Sequence, residues 1–144
     1  MKKYLWRLIC AVFMCACSND IETEARSHME NAVKQLAKDP NPHISDVEIV
    51  FKTKDLIVLQ CIIKGMNSYG GYSTSNVEYI YGIMDKGKRM ESVQILGEKE
   101  SVLERCEKIY QTVKAENPDD DSFDREQNMI MQLTLELCFS GREV

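Results

Sequence analysis

The chain has 144 residues, 44% of them hydrophobic, and carries 18 basic against 23 acidic side chains, for a formal net charge of −5. A chain of this length fits one domain with a single core, and its acidic balance argues against nucleic acid or anionic lipid as a partner. No stretch is continuously apolar over the roughly 20 residues that a membrane-spanning helix needs.

The N-terminus has the organisation of a secretory signal, with basic residues followed by a short apolar run. Met14-Cys15-Ala16-Cys17 ends that run, and polar residues follow at once. These four residues resemble a bacterial lipobox, in which a peptidase cuts after a small residue and the new N-terminal cysteine carries the lipid. We therefore expect residues 1–16 to be a signal peptide, Cys17 to be lipidated and residues 17–24 to form a tether.

Cleavage would change the net charge of the chain, and the residues behind the cleavage site bear on its location in the cell. The signal removes three basic residues, which leaves 15 basic against 23 acidic side chains and a net charge of −8. Asp20 and Glu22, just behind Cys17, resemble a surface-export signal of Bacteroidetes lipoproteins. Several buried acyl chains attach a protein firmly without a basic patch. We expect an outer-membrane lipoprotein, facing the periplasm or the cell surface.

Residues 25–144 predict a single α+β domain that begins with a helix. Apolar residues recur there at spacings of three and four, which is typical of an amphipathic helix. They are Ala25, Met29, Ala32, Val33, Leu36 and Ala37. Asp39-Pro40-Asn41-Pro42 ends this helix, because each proline lacks a donor and keeps its predecessor out of helical geometry.

Four strands of an antiparallel meander follow. Residues 47–51 alternate apolar and polar side chains, whereas residues 56–63 are almost continuously apolar and predict a central strand covered on both faces. Residues 77–84 form the third strand, and a hairpin turn at residues 85–88 leads to the fourth, residues 90–96.

Two helices close the chain and are expected to pack on one face of the sheet. The first carries an apolar stripe from Val102 to Val113, and Ser101 with Glu104 has the spacing of a capping box. The second begins near Ser122, a candidate N-cap, and runs to Cys138.

Three cysteines remain once Cys17 is lipidated, in a compartment that permits disulfide bonds. A bridge between Cys61 and Cys138 would tie the C-terminus to the core, and we place it ahead of a bridge between Cys61 and Cys106. Three buried, unpaired thiols are the alternative.

The most distinctive internal segment is the loop at residues 67–76, where Asn67, Tyr69, Gly70, Gly71 and Tyr72 form a candidate binding loop. Adjacent glycines permit positive φ, and the two tyrosines offer flat surfaces to a sugar, peptide or protein. In the alternative interpretation, both tyrosines pack over the end of the sheet as part of a structural hairpin.

This loop, together with the Asp39-Pro40 turn and Cys61, resembles a pattern in small secreted or lipid-anchored bacterial proteins of unknown function. Those chains carry a helix ending in an Asp-Pro turn, a strand with a cysteine, and an Asn-x-Tyr/Phe-Gly-Gly-Tyr loop. The resemblance spans residues 30–82 and implies fold and export, without implying an activity.

Catalytic and metal chemistry find little support. His28 and His43 have no second ligand at metal spacing, and the acidic residues 119–121 lack the glycine and glutamate of an EF-hand. Cys106 lies on an apolar helix stripe, where burial makes a thiol inert. We predict no cofactor, no metal and no catalytic residue.

The sequence therefore favours a non-enzymatic binding or structural lipoprotein of the envelope, with an envelope protein or glycan as partner. One alternative is a peptide-holding inhibitor or chaperone-accessory domain that uses the open sheet face or the edge strand at residues 47–51. Another is a small envelope hydrolase, which would need a pocket with convergent acids or a histidine.

Overall fold

The computed structural model describes residues 21–37, 39–66 and 69–144. Over these residues the chain forms three α-helices and one five-stranded sheet, with a 3₁₀ turn at Asp85–Gly87. The elements are α1 (Ile21–Leu36), β1 (His43–Lys52), β2 (Leu56–Met66), β3 (Tyr72–Ile83), β4 (Arg89–Ile95), α2 (Val102–Glu116), α3 (Arg125–Phe139) and β5 (Arg142–Glu143).

The sheet is antiparallel throughout and its strands lie in the order β1-β2-β3-β4-β5. The α+β class is confirmed, but the prediction of four strands is wrong. After α3 the chain returns to the sheet, and Arg142 pairs with Glu91 beside β4. A two-residue strand has too few positions to show a period of two, so the sequence pattern does not reveal it.

Helices cover both faces of the sheet. On one face, α1 packs on the odd-numbered side chains of β2 and β3, among them Leu59 and Tyr79. On the opposite face, α2 and α3 pack on even-numbered side chains such as Val58 and Ile80. Residues 56–59 are all buried, as expected for a central strand between two helical layers.

Several boundaries differ from those predicted. Helix α1 begins at Ile21, within the predicted tether, because the 5% exposed Ile21 side chain joins the core under α1. Strand β3 begins at Tyr72, so half of the predicted loop is strand. Helix α3 is capped by Asp124, whose carboxylate accepts the Gln127 amide, and not by Ser122.

The predicted disulfide bond between Cys61 and Cys138 is not formed. Cys61 is buried beneath α1, whereas Cys138 is exposed on α3, which packs on the other face of the sheet. The sheet therefore separates the two thiols. Cys106 is also free and buried, and this burial raises the pKa of its thiol to about 11, consistent with an inert side chain.

Within the described ranges, no helix combines the length and the apolar character needed to cross a bilayer.

Candidate functional site

An apolar cleft of about 390 Å³ lies at the tip of the β2–β3 hairpin, where the sheet extends past the C-terminal end of α1. We call it the tip cleft. Its apolar walls come from α1, β2, the hairpin turn and the end of β4, and its polar walls from the Asp-Pro turn and the first residues of β3. Its lining residues include Leu36, Asp39, Ile63, Met66, Tyr69, Ser73, Ser75 and Ile95.

The Asp39-Pro40 turn closes one side of the tip cleft. The Asp39 carboxylate accepts the backbone N–H of Met66 at 2.8 Å and that of Asn41 at 2.9 Å. These two backbone donors lower the pKa of Asp39, so the carboxylate remains charged at neutral pH. Gly65 permits the close approach, since a Cβ atom there would lie 3.2 Å from the Asp39 Cβ. The turn therefore joins the end of α1 to the end of β2.

The two tyrosines of the candidate loop lie on different sides of the hairpin. Tyr69 is 97% exposed and stands at the rim of the tip cleft. Tyr72 is 69% exposed and lies on the opposite side from Ser73, because successive strand residues alternate in direction. The Nζ of Lys64 lies 6.0 Å from the centre of the Tyr72 ring. Both rings are largely exposed, as a binding loop requires, and binding by this loop stays a prediction.

Of the two loop glycines, Gly70 has a φ of +79°, a left-handed conformation that glycine adopts without strain. Asn67 lies outside the described residues, as does Cys17, and both remain sequence predictions.

Several exposed hydrophobic side chains surround the tip cleft. Leu36 and Ile95 are 40% and 42% exposed and line it together with Tyr69, and the 47% exposed Met66 borders it at the end of β2. Single exposed hydrophobic residues are ordinary on protein surfaces, but a group of them around one concavity is typical of a binding site. The volume also falls within the range of small-ligand pockets.

A second, wider groove of about 660 Å³ lies between β1 and the N-terminal halves of α2 and α3, and several acids line it. Glu104 accepts the Ser101 amide in the capping box, and Asp124 caps α3. Glu107 bonds Gln111 and Arg125, which together lower its pKa. A general acid needs a carboxyl whose pKa is raised, which is the opposite of the shift at Glu107. Glu104 and Asp124 are engaged in capping their helices.

A polar network lies under α1 at the opposite end from the tip cleft. The buried Glu91 carboxylate accepts the Tyr79 hydroxyl at 2.7 Å and the Arg142 Nε at 2.7 Å. Burial, followed by the bond to Glu91, raises the pKa of Tyr79. Beside it, His28 stacks on Tyr81 with ring centres 5.3 Å apart. We assign this network to stability, because the Glu91 side chain is only 3% exposed and its two bonds join β4 to β3 and β5.

The residues of the described ranges contain no group of three or more histidine, cysteine, aspartate or glutamate side chains placed to hold a metal ion. Comparison with known proteins adds no identification: no family model, no curated protein and no solved structure matches this chain.

The sequence pointed to Tyr69 but missed most of the cleft. Leu36 and Ile95 each end a regular element, and their apolar side chains fit the periodicity of those elements without suggesting exposure. Asp39 was interpreted as part of a helix stop, whereas its carboxylate also binds β2. The available signal in the sequence was an apolar residue at the last position of several elements. These residues form a site only because the fold brings the ends of those elements together.

Proposed function

We propose that this chain is a non-enzymatic binding lipoprotein of the cell envelope, anchored in the outer membrane through Cys17, and that the tip cleft is its binding surface. One observation carries the proposal: a 97% exposed Tyr69 stands beside an apolar cleft ringed by other exposed hydrophobic side chains. Tyrosine supplies a large, rigid contact surface at low entropic cost, and interfaces are enriched in it.

The length of α1 would separate the tip cleft from the proposed anchor. Cys17 is four residues before Ile21, and such a segment spans at most about 14 Å. The N-terminal end of α1 would therefore stay near the membrane, whereas the cleft lies at the other end of this 16-residue helix, about 24 Å further along its axis. This separation lets the cleft reach a protein or glycan partner beyond the lipid of its own leaflet.

Two measurements test the proposal separately. Metabolic labelling with a palmitate analogue should modify the full chain but not its Cys17→Ser variant, and the unlabelled variant should leave the membrane fraction. Equal labelling of both forms would refute the anchor and leave the cleft unaffected.

For the cleft, we suggest chemical cross-linking in intact envelopes with the full chain and a Tyr69→Ala variant. The matched control is Phe139→Ala, which removes another exposed ring, 84% accessible, from α3. We expect the cross-linked partner band to disappear with Tyr69→Ala and to persist with Phe139→Ala. A band that survives Tyr69→Ala would place binding elsewhere on the domain.

Neither the sheet faces nor the β1 edge supports the peptide-holding alternative. Helices cover both faces, so an open sheet face is not offered. The predicted edge strand, β1, does lie at the edge of the sheet, but register shifts interrupt its pairing on either side of Glu48, and Asp46 there has a φ of +51°. Such bulges protect an edge from pairing with other chains.

A further inference from the structure

The β2–β3 hairpin extends beyond both of its neighbours. Strand β3 starts at Tyr72, but β4 ends opposite Val77, where Ile95 is its partner. On the other side, β1 begins opposite Lys64 and β2 continues to Met66. Both outer edges of the hairpin tip therefore lie beyond the neighbouring strands.

The backbone of β3 directs hydrogen-bonding groups toward the open side. The C=O of Asn76 accepts the N–H of Leu96 at 2.8 Å, so Asn76 faces the β4 side. Alternate residues of an antiparallel strand direct their N–H and C=O groups to the same side. Tyr72 and Thr74 therefore face that side as well. In the part of the chain that the structure describes, no strand pairs with them there.

The opposite edge of the same hairpin is treated differently. Met66 also directs its N–H outward, but the Asp39 carboxylate accepts that hydrogen bond at 2.8 Å. The Asp-Pro turn thus occupies the β2 edge, whereas the β3 edge presents two N–H and two C=O groups next to the tip cleft. Edges of this kind are where proteins add a strand from a partner.

We propose that an extended polypeptide segment of an envelope partner pairs with β3 at residues 72–75 and places an apolar side chain in the tip cleft. This inference rests on the proposed function of the cleft and names its ligand class. Outward groups on alternate residues repeat every 6.8 Å or so, which is the repeat of a β-strand and not of a glycan or an acyl chain.

The side chains around the edge agree with this ligand. A strand paired with β3 occupies the line of β4 beyond Leu96, whose N–H already bonds to Asn76, so every second side chain lies over the tip cleft. Ser73 and Ser75 are small and leave room there, while Tyr69 and Ile95 provide apolar contacts. The segment should therefore alternate, with an apolar residue toward the cleft and polar residues on the opposite side.

The experiment measures fluorescence polarisation of labelled peptides with the purified full chain. The probes are a pool of seven-residue peptides that alternate threonine with one varied position, occupied by Val, Ile, Leu, Phe or Tyr. Each peptide that binds is remade in two forms, methylated on alternate backbone nitrogens. Only one form loses the donors that face β3, so we expect it to bind at least about tenfold more weakly while the other binds like the parent.

Variants of the chain provide the second arm. Thr74→Pro removes the outward N–H without touching the β2 ladder, and Thr74→Ala keeps that N–H as the matched control. We expect Thr74→Pro to weaken peptide binding by at least about fivefold and Thr74→Ala to leave it nearly unchanged, with both variants folded by circular dichroism.

Three results would overturn strand addition. The first is the absence of peptide binding up to roughly 1 mM, and the second is equal binding of both methylated forms. The third is self-association of the chain that Thr74→Pro abolishes, because the edge would then bind a second copy of the chain. If the Tyr69-dependent cross-link persists in any of these cases, the cleft is still a binding site for another ligand. If the cross-link is independent of Tyr69 while peptides bind the edge, the proposed function fails on its own.

Discussion

Replacing Arg142 by alanine tests the role of the C-terminal strand. The Arg142 guanidinium donates its Nε–H to the Glu91 carboxylate at 2.7 Å, and its Nη2 forms an ion pair with the same oxygen at 2.7 Å. The Glu91 side chain is only 3% exposed, whereas that of Arg142 is 50% exposed. The substitution therefore leaves a buried carboxylate whose remaining hydrogen-bond donor is the Tyr79 hydroxyl of the neighbouring strand.

The magnitude follows from this unequal burial. Breaking a fully buried ion pair costs about 3–5 kcal/mol, while an exposed pair contributes roughly 0–1 kcal/mol. Here water can reach the carboxylate from the Arg142 side, and the Tyr79 bond remains. We expect a loss of about 2 kcal/mol in the free energy of unfolding, or roughly 8 °C in Tm for a domain of this size.

The assay is urea unfolding followed by circular dichroism, with Arg125→Ala as the matched control. Arg125 donates to Glu107 at the same 2.7 Å, but that carboxylate is 36% exposed, so its loss should cost under about 1 kcal/mol. Adding Glu91→Gln to Arg142→Ala should recover part of the loss, because no buried charge is then left unpaired. Equal costs for the two arginine variants would refute the reasoning.

Three further predictions follow from buried groups. Because the pKa of Tyr79 is raised in the folded state, its contribution to the free energy of unfolding should be fully present below pH 10, the usual tyrosine pKa, and decrease above it. Tyr79→Phe should make the free energy of unfolding decrease less steeply above pH 10. An unchanged slope of that free energy against pH would contradict the burial of Tyr79. Gly82→Ala should cost about 1–3 kcal/mol, because the new Cβ would lie 2.5 Å from the Leu137 Cδ1; thermal unfolding measures it, and a neutral result would mean that the core relaxes freely. A maleimide should label Cys138 in the native chain and Cys106 only after unfolding, as located by mass spectrometry; early labelling of Cys106 would contradict its burial.

Much of the fold follows from local patterns. The 3.6-residue period of α1, the apolar run of β2 and the capping box of α2 were all readable from the sequence. The Ser101 side chain accepts the Glu104 amide and the Glu104 carboxylate accepts the Ser101 amide, as the spacing predicts. Such elements are predictable because the interactions that form them join residues three or four apart.

The sequence pattern did not identify the N-cap of α3, because two residues could serve as the cap. Ser122 and Asp124 both carry a side-chain oxygen suited to capping α3. In the structure Ser122 instead donates its N–H and its hydroxyl to the Asp120 carboxylate, in a turn of the preceding loop. Asp124 is left to cap the helix and accepts the Gln127 amide at 3.1 Å. Asp124 rather than Ser122 caps the helix because Ser122 is engaged in this turn. The periodicity of the helix contains no information about such a turn.

The sequence by itself determined four strands of the sheet and the helices that cover it, and it left open whether the Gly-Gly loop is exposed or packed on the sheet. Only the tertiary structure decided that Glu78, in a buried strand, accepts the Val102 amide at 2.7 Å at the start of α2. It also brought Leu36, Met66 and Ile95 around one cleft and left the β3 edge open beside it. These features depend on residues far apart in the chain, whose meeting is set by how the layers pack and where each strand ends.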